Sequence, residues 1–154
     1  KKYNGNFKIN SSVNSLVKLE LSKKLNSVST LKEFAKRIER NKIKLLHLLK
    51  DLKKKQKKII GYGAPAKGNT LLNYFGIDNK IVDYIVDDSP LKQGLFTPGT
   101  HILIKAPRAL EKDRFNYIII LAWNFADSIM AKYHNLKKRG ISFIVPIPFP
   151  KIIK

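Results

Sequence analysis

GYGAPAKGNT, residues Gly61 to Thr70, is the stretch of sequence that decides the fold. It follows the apolar pair Ile59-Ile60 and precedes an apolar pattern over Leu71 to Phe75 that has helical spacing. This order predicts a strand, a glycine-rich turn and the N-terminus of a helix. Such a turn is a common phosphate site in α/β proteins, because the free N–H groups of the first helical turn point at the ligand.

The glycine spacing fits neither of two common phosphate-binding fingerprints. A dinucleotide fingerprint requires G-x-G-x-x-G, but the third glycine, Gly68, comes two residues late. A P-loop requires G-x-x-x-x-G-K-[ST], but Asn69 stands in the lysine position before Thr70. The stretch therefore predicts either an anion cradle to which Lys67 adds charge, or a tight turn that binds nothing. The spacing alone does not choose between them.

Composition narrows the class of protein. The chain has 154 residues, 44% of them apolar, which is enough for one hydrophobic core. It contains no cysteine, which excludes a disulfide framework and a thiolate zinc site. No apolar run approaches the ~20 residues of a membrane span, and the first residues lack the apolar core of a signal peptide, so we expect a cytoplasmic location and no membrane partner.

The net charge of +20 favours anionic partners. Nucleic acid is not the favoured one, because the sequence has no RNP-like aromatic pattern, zinc-finger spacing or recognition-helix signature. Lysine on solvated helix faces is the simpler interpretation of this charge.

Two amphipathic helices are predicted ahead of the glycine-rich turn. Apolar residues recur at steps of three and four from Val13 to Val28. Thr30 and Glu33 have the spacing of a capping box, which predicts that a second helix starts at Leu31. Residues 1–10 are either a strand or an extended connector. We interpret residues 1–57 as a helical lead-in from a preceding domain.

Strands and helices alternate through residues 58–154, which we interpret as one Rossmann-like domain. The prolines over 146–150 are expected to stop further strand pairing, and the loop over 88–100 is expected to be ordered. The predicted fold class is α/β, a Rossmann-like open, mostly parallel sheet with flanking helices, preceded by two amphipathic helices. The predicted strands are 58–62, 82–86, 101–105, 116–122 and 141–145, the predicted helices are 69–75 and 125–138, and a helical turn is predicted at 107–110.

Four predicted strands end in distinctive residues, and the carboxyl ends of parallel strands meet at one edge of a sheet, where ligands bind. Lys67 and the glycine-rich turn suit a diphosphate, Asp87 can accept hydrogen bonds from ribose hydroxyls, and Trp123 can stack on a base or a sugar. Asp87 and Asp88 are also common at strand ends, and Trp123 is equally suited to the core. The predicted binding residues are Gly61, Tyr62, Gly63, Ala64, Pro65, Lys67, Gly68, Asn69, Thr70, Asp87, Asp88, Lys92, His101, Trp123 and Asn124.

The sequence shows no catalytic constellation. It has no G-x-S-x-G elbow and no H-x-x-x-H pair, and its three histidines are scattered. We therefore predict no catalytic residue, no metal site and no resident cofactor in this chain.

The sequence resembles the C-terminal domain of the SAM-dependent sugar C-methyltransferases, enzymes that methylate a carbon of a nucleotide-linked deoxysugar. The resemblance runs from about Ile59 to the end of the chain, with its blocks in the family's order. Two positions depart from the pattern, Leu103 where a proline is expected and Ser128 where an acid is expected. The blocks are Gly61 to Asn73, Val86 to Pro90, Lys92 to Gly94, Pro98 to Ile102, Leu121 to Asp127 and Val145 to Pro148.

The resemblance implies a parent enzyme of three parts, with zinc in the first domain, SAM and the catalytic residues in the middle domain, and this α/β domain last. It implies that this domain helps bind the nucleotide-sugar and packs against the methyltransferase domain of the same polypeptide. Whether the chain alone has enzymatic activity stays uncertain. Two alternatives remain: an autonomous Rossmann-like domain that binds NAD or SAM, and a charge-driven nucleic-acid binder.

Overall fold

The computed structural model describes residues 10–154, so the prediction for residues 1–10 lies almost wholly outside the described part. One sheet of six strands organises this part of the chain. None of its helices has the length and apolar character needed to cross a membrane.

The sheet confirms the predicted α/β class. Its strands are β1 (Ile59–Tyr62), β2 (Ile85–Val86), β3 (Ile104–Lys105), β4 (Tyr117–Ile120), β5 (Ser142–Val145) and β6 (Lys151–Ile153). Their spatial order is β3-β2-β1-β4-β5-β6, and all neighbouring pairs are parallel except β5 with β6.

The sixth strand corrects the sequence prediction. The prolines over 146–150 do not stop strand pairing, because they lie in the connection between β5 and β6. The three residues that follow are not prolines, so their backbone N–H groups can donate hydrogen bonds. They form β6, which pairs antiparallel with β5 along the edge of the sheet.

The helices differ from the prediction mainly at their ends. The helix that follows the glycine-rich turn begins at Ala66, three residues earlier than predicted, and Gly76 in the left-handed conformation ends it as predicted. The helix predicted over 125–138 begins one residue late, at Ala126, after a 3₁₀ turn over residues 123–125, and it is interrupted once, at Tyr133 and His134. The helices are α1 (Ser11–Ser22), α2 (Val28–Lys54), α3 (Ala66–Phe75), α4 (Ala109–Lys112), α5 (Ala126–Lys132) and α6 (Asn135–Lys138).

The predicted capping box is wrong. The first helix ends at Ser22, and the second begins at Val28, so Thr30 lies inside α2. Lys24 takes a left-handed conformation with φ of 51°, and the Leu31 N–H donates to the Ser27 carbonyl at 3.1 Å. The connection between the two helices therefore lies before the Thr30–Glu33 pair, and both of these residues lie inside α2.

The chain forms two compact units, one up to Glu39 and one from Arg40 to Lys154. In the first unit, α1 buries none of its residues, and its apolar side chains are exposed. In the second unit, Leu45, Leu49 and Leu52 of α2 are buried, and the Asn41 side chain donates to the Pro146 carbonyl at 3.1 Å. Whether residues 1–57 derive from a preceding domain stays a prediction.

Both faces of the sheet are covered, as expected for a parallel sheet. Ile60, Ile118 and Phe143 are in register on one face, in a cluster that includes Ile129 of α5 and Leu136 of α6. Side chains alternate along a strand, so Ile119 and Ile144 point to the opposite face, where they are also fully buried. The sheet is thus a rigid base for the loops at its carboxyl edge.

Candidate functional site

Three segments at the ends of strands form the rim, by which we mean residues 63–68 after β1, 87–88 after β2 and 121–124 after β4. Because β1 lies between β2 and β4, the glycine-rich turn is flanked by both of the other segments. The Gly63 N–H donates to the Val86 carbonyl at 2.7 Å, and the Leu121 N–H donates to the Tyr62 carbonyl at 2.9 Å. The structure therefore brings together the residues that sequence placed at these three strand ends.

The glycines of the turn allow close packing within the fold. Gly63 has φ of +82°, and a Cβ there would lie 2.9 Å from the Ala122 Cβ. A Cβ on Gly68 would lie 3.0 Å from the Leu121 Cβ and 3.2 Å from its carbonyl oxygen. These two glycines thus let the start of α3 approach the end of β4, which is a sufficient structural reason for both of them.

Asp87 connects the rim to the loop that follows it. Its Oδ2 accepts the Ala64 N–H at 2.6 Å and the Lys92 ammonium at 3.2 Å, and its Oδ1 accepts the Ser89 N–H at 2.9 Å. Burial raises the pKa of this carboxyl, but the hydrogen bonds from Ala64, Ser89 and Lys92 outweigh that effect and hold the pKa below its ordinary value. Asp87 is therefore an ionised acceptor whose two oxygens both hold protein groups.

Hydrogen bonds hold the loop over 88–100 near both of its ends, and that the loop is ordered stays a prediction. Gln93 donates to the Asp87 carbonyl at 3.1 Å, and the Asn73 amide of α3 donates to the Pro98 carbonyl at 3.1 Å. The Thr97 and Thr100 hydroxyls are buried and lie 2.7 Å apart. His101, a predicted site residue, is exposed and has φ of 51°, so the visible role of this position is in the backbone turn.

Lys67 lies over two aromatic rings. Its Nζ is 4.8 Å from the centre of the Trp123 ring and 5.9 Å from that of Phe125, which is the geometry of a cation–π contact. Trp123 is half-buried and Asn124 is exposed. Phe125 is 65% exposed, because it lies in the 3₁₀ turn ahead of α5.

The first turn of α3 carries the remaining residues of the glycine-rich stretch. Pro65 precedes the helix and supplies no side-chain cap for its N–H groups. The Thr70 hydroxyl donates to the Ala66 carbonyl at 3.1 Å, whereas the Asn69 Oδ1 is buried and has no hydrogen-bond partner within residues 10–154. The turn thus combines an uncapped helix N-terminus with the positive charge of Lys67.

Asp88 belongs to a second polar cluster, which contains two residues that the sequence analysis missed. Its Oδ2 accepts the Tyr62 hydroxyl at 2.8 Å and the Lys132 ammonium at 3.0 Å, and the Tyr62 and Tyr133 hydroxyls lie 3.2 Å apart. Burial raises the pKa of Tyr62, so this hydroxyl stays protonated. The helical spacing over 125–138 predicts an inward position for Tyr133 but no polar contact there, and it gives no signal for Lys132.

The described residues do not contain a group of three or more histidine, aspartate or glutamate side chains placed to hold a metal ion. Within residues 10–154, the groups near the rim suit hydrogen bonding, charge and aromatic contact.

Comparison with known proteins gives two findings. The profile of the family described as the C-methyltransferase C-terminal domain matches residues 1–148. The chain is also 35% identical over 122 residues to the C-methyltransferase NovU of Streptomyces niveus. That alignment covers 79% of this chain but only 29% of the relative, so the chain corresponds to less than a third of the relative's length.

Proposed function

This chain belongs to the C-methyltransferase C-terminal domain family, and on that premise we propose that it is the substrate platform of a SAM-dependent C-methyltransferase that acts on a nucleotide-linked deoxysugar. In this proposal the rim binds the nucleotide-sugar. SAM and zinc belong to other domains of the parent protein.

The observation that carries the proposal is the uncapped N-terminus of α3, with Lys67 in its first turn beside Trp123. Helix N–H groups and an ammonium group suit the charge of a diphosphate. The Trp123 ring lies beside them and offers a flat surface to a base or a sugar. Phosphate and ring recognition side by side is what a nucleotide-sugar requires.

Asp87 has a different place in this proposal from the one expected from sequence. Its oxygens already accept hydrogen bonds from Ala64, Ser89 and Lys92, so it would position the turn instead of contacting ribose directly. Lys92 is the one partner that could turn toward a phosphate, because its side chain is 42% exposed.

We also propose that the first unit docks on the methyltransferase domain of the same polypeptide. Leu16, Leu31 and Phe34 are all more than half exposed, and such apolar helix residues are typical of a surface that another domain covers. The relative is more than three times as long as the aligned segment, which leaves ample chain for such a domain.

An NMR titration of this chain tests the proposal. We expect a thymidine-diphosphate deoxysugar to shift amide signals at Gly61 to Thr70 and near Trp123, and to saturate at moderate salt. SAM and NAD, titrated in parallel, should leave these signals unchanged. Binding of SAM or NAD in place of the nucleotide-sugar would overturn the proposal.

An autonomous NAD- or SAM-binding domain is the second candidate, and the strand order supports it. The arrangement β3-β2-β1-β4-β5 is that of dinucleotide-binding sheets. In those folds an acid after the second strand binds the ribose, and here the oxygens of Asp87 hold protein groups instead. The same titration separates the two candidates.

A further inference from the structure

A crevice at the outer edge of the sheet lies apart from Lys67 and Trp123. It follows β3, the edge strand, and has a volume of about 440 Å³, within the range of roughly 300–1,000 Å³ for small-molecule sites. We call it the edge crevice and define it by Gln93, Ile104, Lys105, Arg108, Lys112 and Asp113.

The charge of the edge crevice is positive. Lys105, Arg108 and Lys112 give three cations against one carboxylate, Asp113. The charge of Lys105 is balanced within the protein, since its Nζ lies 2.9 Å from the Asp113 Oδ2 and 4.0 Å from the centre of the Tyr84 ring. The local excess of positive charge therefore comes from Arg108 and Lys112.

Arg108 and Lys112 are four residues apart, at the start and the end of α4, so they lie on the same side of that helical turn. Both are exposed, and within residues 10–154 neither makes an ion pair or a side-chain hydrogen bond. Two like charges on one side of a crevice repel each other, and an anion between them would relieve that repulsion. A guanidinium also matches the geometry of phosphate oxygens.

The remaining walls are partly apolar. Leu103, Ile104 and Ala109 line the edge crevice beside the cations. Leu103 is the partly exposed residue of this wall, since Ile104 and Ala109 are buried. An inorganic anion would contact only the cations, whereas an organic group could also cover Leu103. From this combination we propose that the edge crevice binds a phosphorylated small molecule of about the size of a nucleoside monophosphate.

This site is separate from the proposed substrate platform but shares one wall with its supporting loop. Gln93 lines the edge crevice and donates to the Asp87 carbonyl at 3.1 Å. The cations of the two sites are different residues, so the proposal does not rest on the proposed function. Mutation of Arg108 and Lys112 removes no cation from the rim, and mutation of Lys67 removes none from the edge crevice.

The test is an amide chemical-shift titration of this chain with uridine monophosphate and, separately, with inorganic phosphate. The variants are Arg108→Ala with Lys112→Ala, and a control with the same charge loss, Lys137→Ala with Lys138→Ala, which removes two exposed lysines of α6.

We expect saturable shifts at Gly94 and over residues 104–113, with the nucleotide binding more tightly than phosphate. The Arg108/Lys112 variant should bind about tenfold more weakly or worse, while the Lys137/Lys138 control changes affinity less than about twofold. Three results would overturn the proposal: equal affinity for phosphate and nucleotide, equal losses in the two double variants, or shifts confined to the rim.

Discussion

Asp87 holds the glycine-rich turn and the following loop through one buried carboxylate. It is 8% exposed and accepts hydrogen bonds from Ala64, Ser89 and Lys92. Asparagine has the same shape but no charge, and it replaces one acceptor oxygen with an amide NH₂ group. At least one of the three donors would then lose its partner. The role of Asp87 can therefore be measured as stability, independently of any ligand.

Asp87→Asn should lower the free energy of unfolding by about 1–3 kcal/mol, the usual effect of leaving buried polar groups unpaired. Urea unfolding at neutral pH measures this loss. Asp51→Asn is the control, because Asp51 is an exposed partner of Lys54 at 3.8 Å and its replacement should change stability by less than about 0.5 kcal/mol. Equal effects of the two substitutions would refute the structural role.

The pH dependence of stability gives a second readout for Asp87. Its folded pKa lies below its ordinary value, so ionised Asp87 contributes stability above the unfolded pKa of about 3.9. That contribution is lost as pH falls through the lower folded pKa. The gap in stability between wild type and Asp87→Asn should therefore narrow as pH falls below about 4 in acid unfolding curves. A gap that stays constant down to pH 2 would contradict this explanation.

Gly63 and Gly140 separate the cost of backbone strain from the cost of a contact. Both have positive φ, +82° and +75°, but only at Gly63 would a Cβ meet a neighbour, 2.9 Å from the Ala122 Cβ. Gly140→Ala should cost about 1–2 kcal/mol of stability from strain alone. Gly63→Ala should cost about 1–3 kcal/mol more, because the turn must move away from the end of β4. Thermal unfolding of both variants measures the difference, and similar melting temperatures would argue against close packing at the rim.

At the scale of elements, α2 combines two environments in one helix. Its first turns carry exposed apolar side chains in the first unit, whereas Leu45, Leu49 and Leu52 are buried in the second. Sequence periodicity runs through both parts, so it cannot distinguish a face buried in this domain from a face left for a partner. The structure makes that distinction through burial.

Leu49→Ala and Leu31→Ala test this division of α2. Leu49 is fully buried, and its truncation should cost about 2–5 kcal/mol. Leu31 is 56% exposed, and its truncation should change the stability of this chain by less than about 0.5 kcal/mol. In the full-length protein, Leu31→Ala should lower stability measurably if the first unit docks on the methyltransferase domain. A cost near that of Leu49→Ala in this chain alone would show that residue 31 is buried within it.

At the scale of the whole molecule, the alternation of strands and helices and the meeting of the β1, β2 and β4 ends at one edge of the sheet were predictable from the sequence. Long apolar runs and glycine-rich breaks mark these features directly. The partners of Asp87 and the cluster around Asp88 were not predictable. They depend on contacts between Tyr62, Asp88 and Lys132, which are remote along the chain, and on the 3₁₀ turn that sets the phase of α5. β6 was missed because the prolines before it masked a short edge strand.

The net charge of +20 also acts on the whole molecule. This charge attracts any anion to the surface. The effect of removing a lysine from the rim on nucleotide affinity must therefore be compared with the effect of removing one lysine elsewhere. Lys80→Ala serves this purpose, since Lys80 is exposed and lies outside both the rim and the edge crevice.

The most direct test of the central claim, that the rim binds the nucleotide-sugar, is a calorimetric titration of a thymidine-diphosphate deoxysugar into the full-length protein at moderate salt. We predict that Lys67→Ala weakens binding about tenfold or more, because it removes the ammonium group at the uncapped end of α3. Lys80→Ala should change the affinity less than about twofold. Equal affinities of the wild type and both variants would contradict the claim, because the substrate would then be held without the rim.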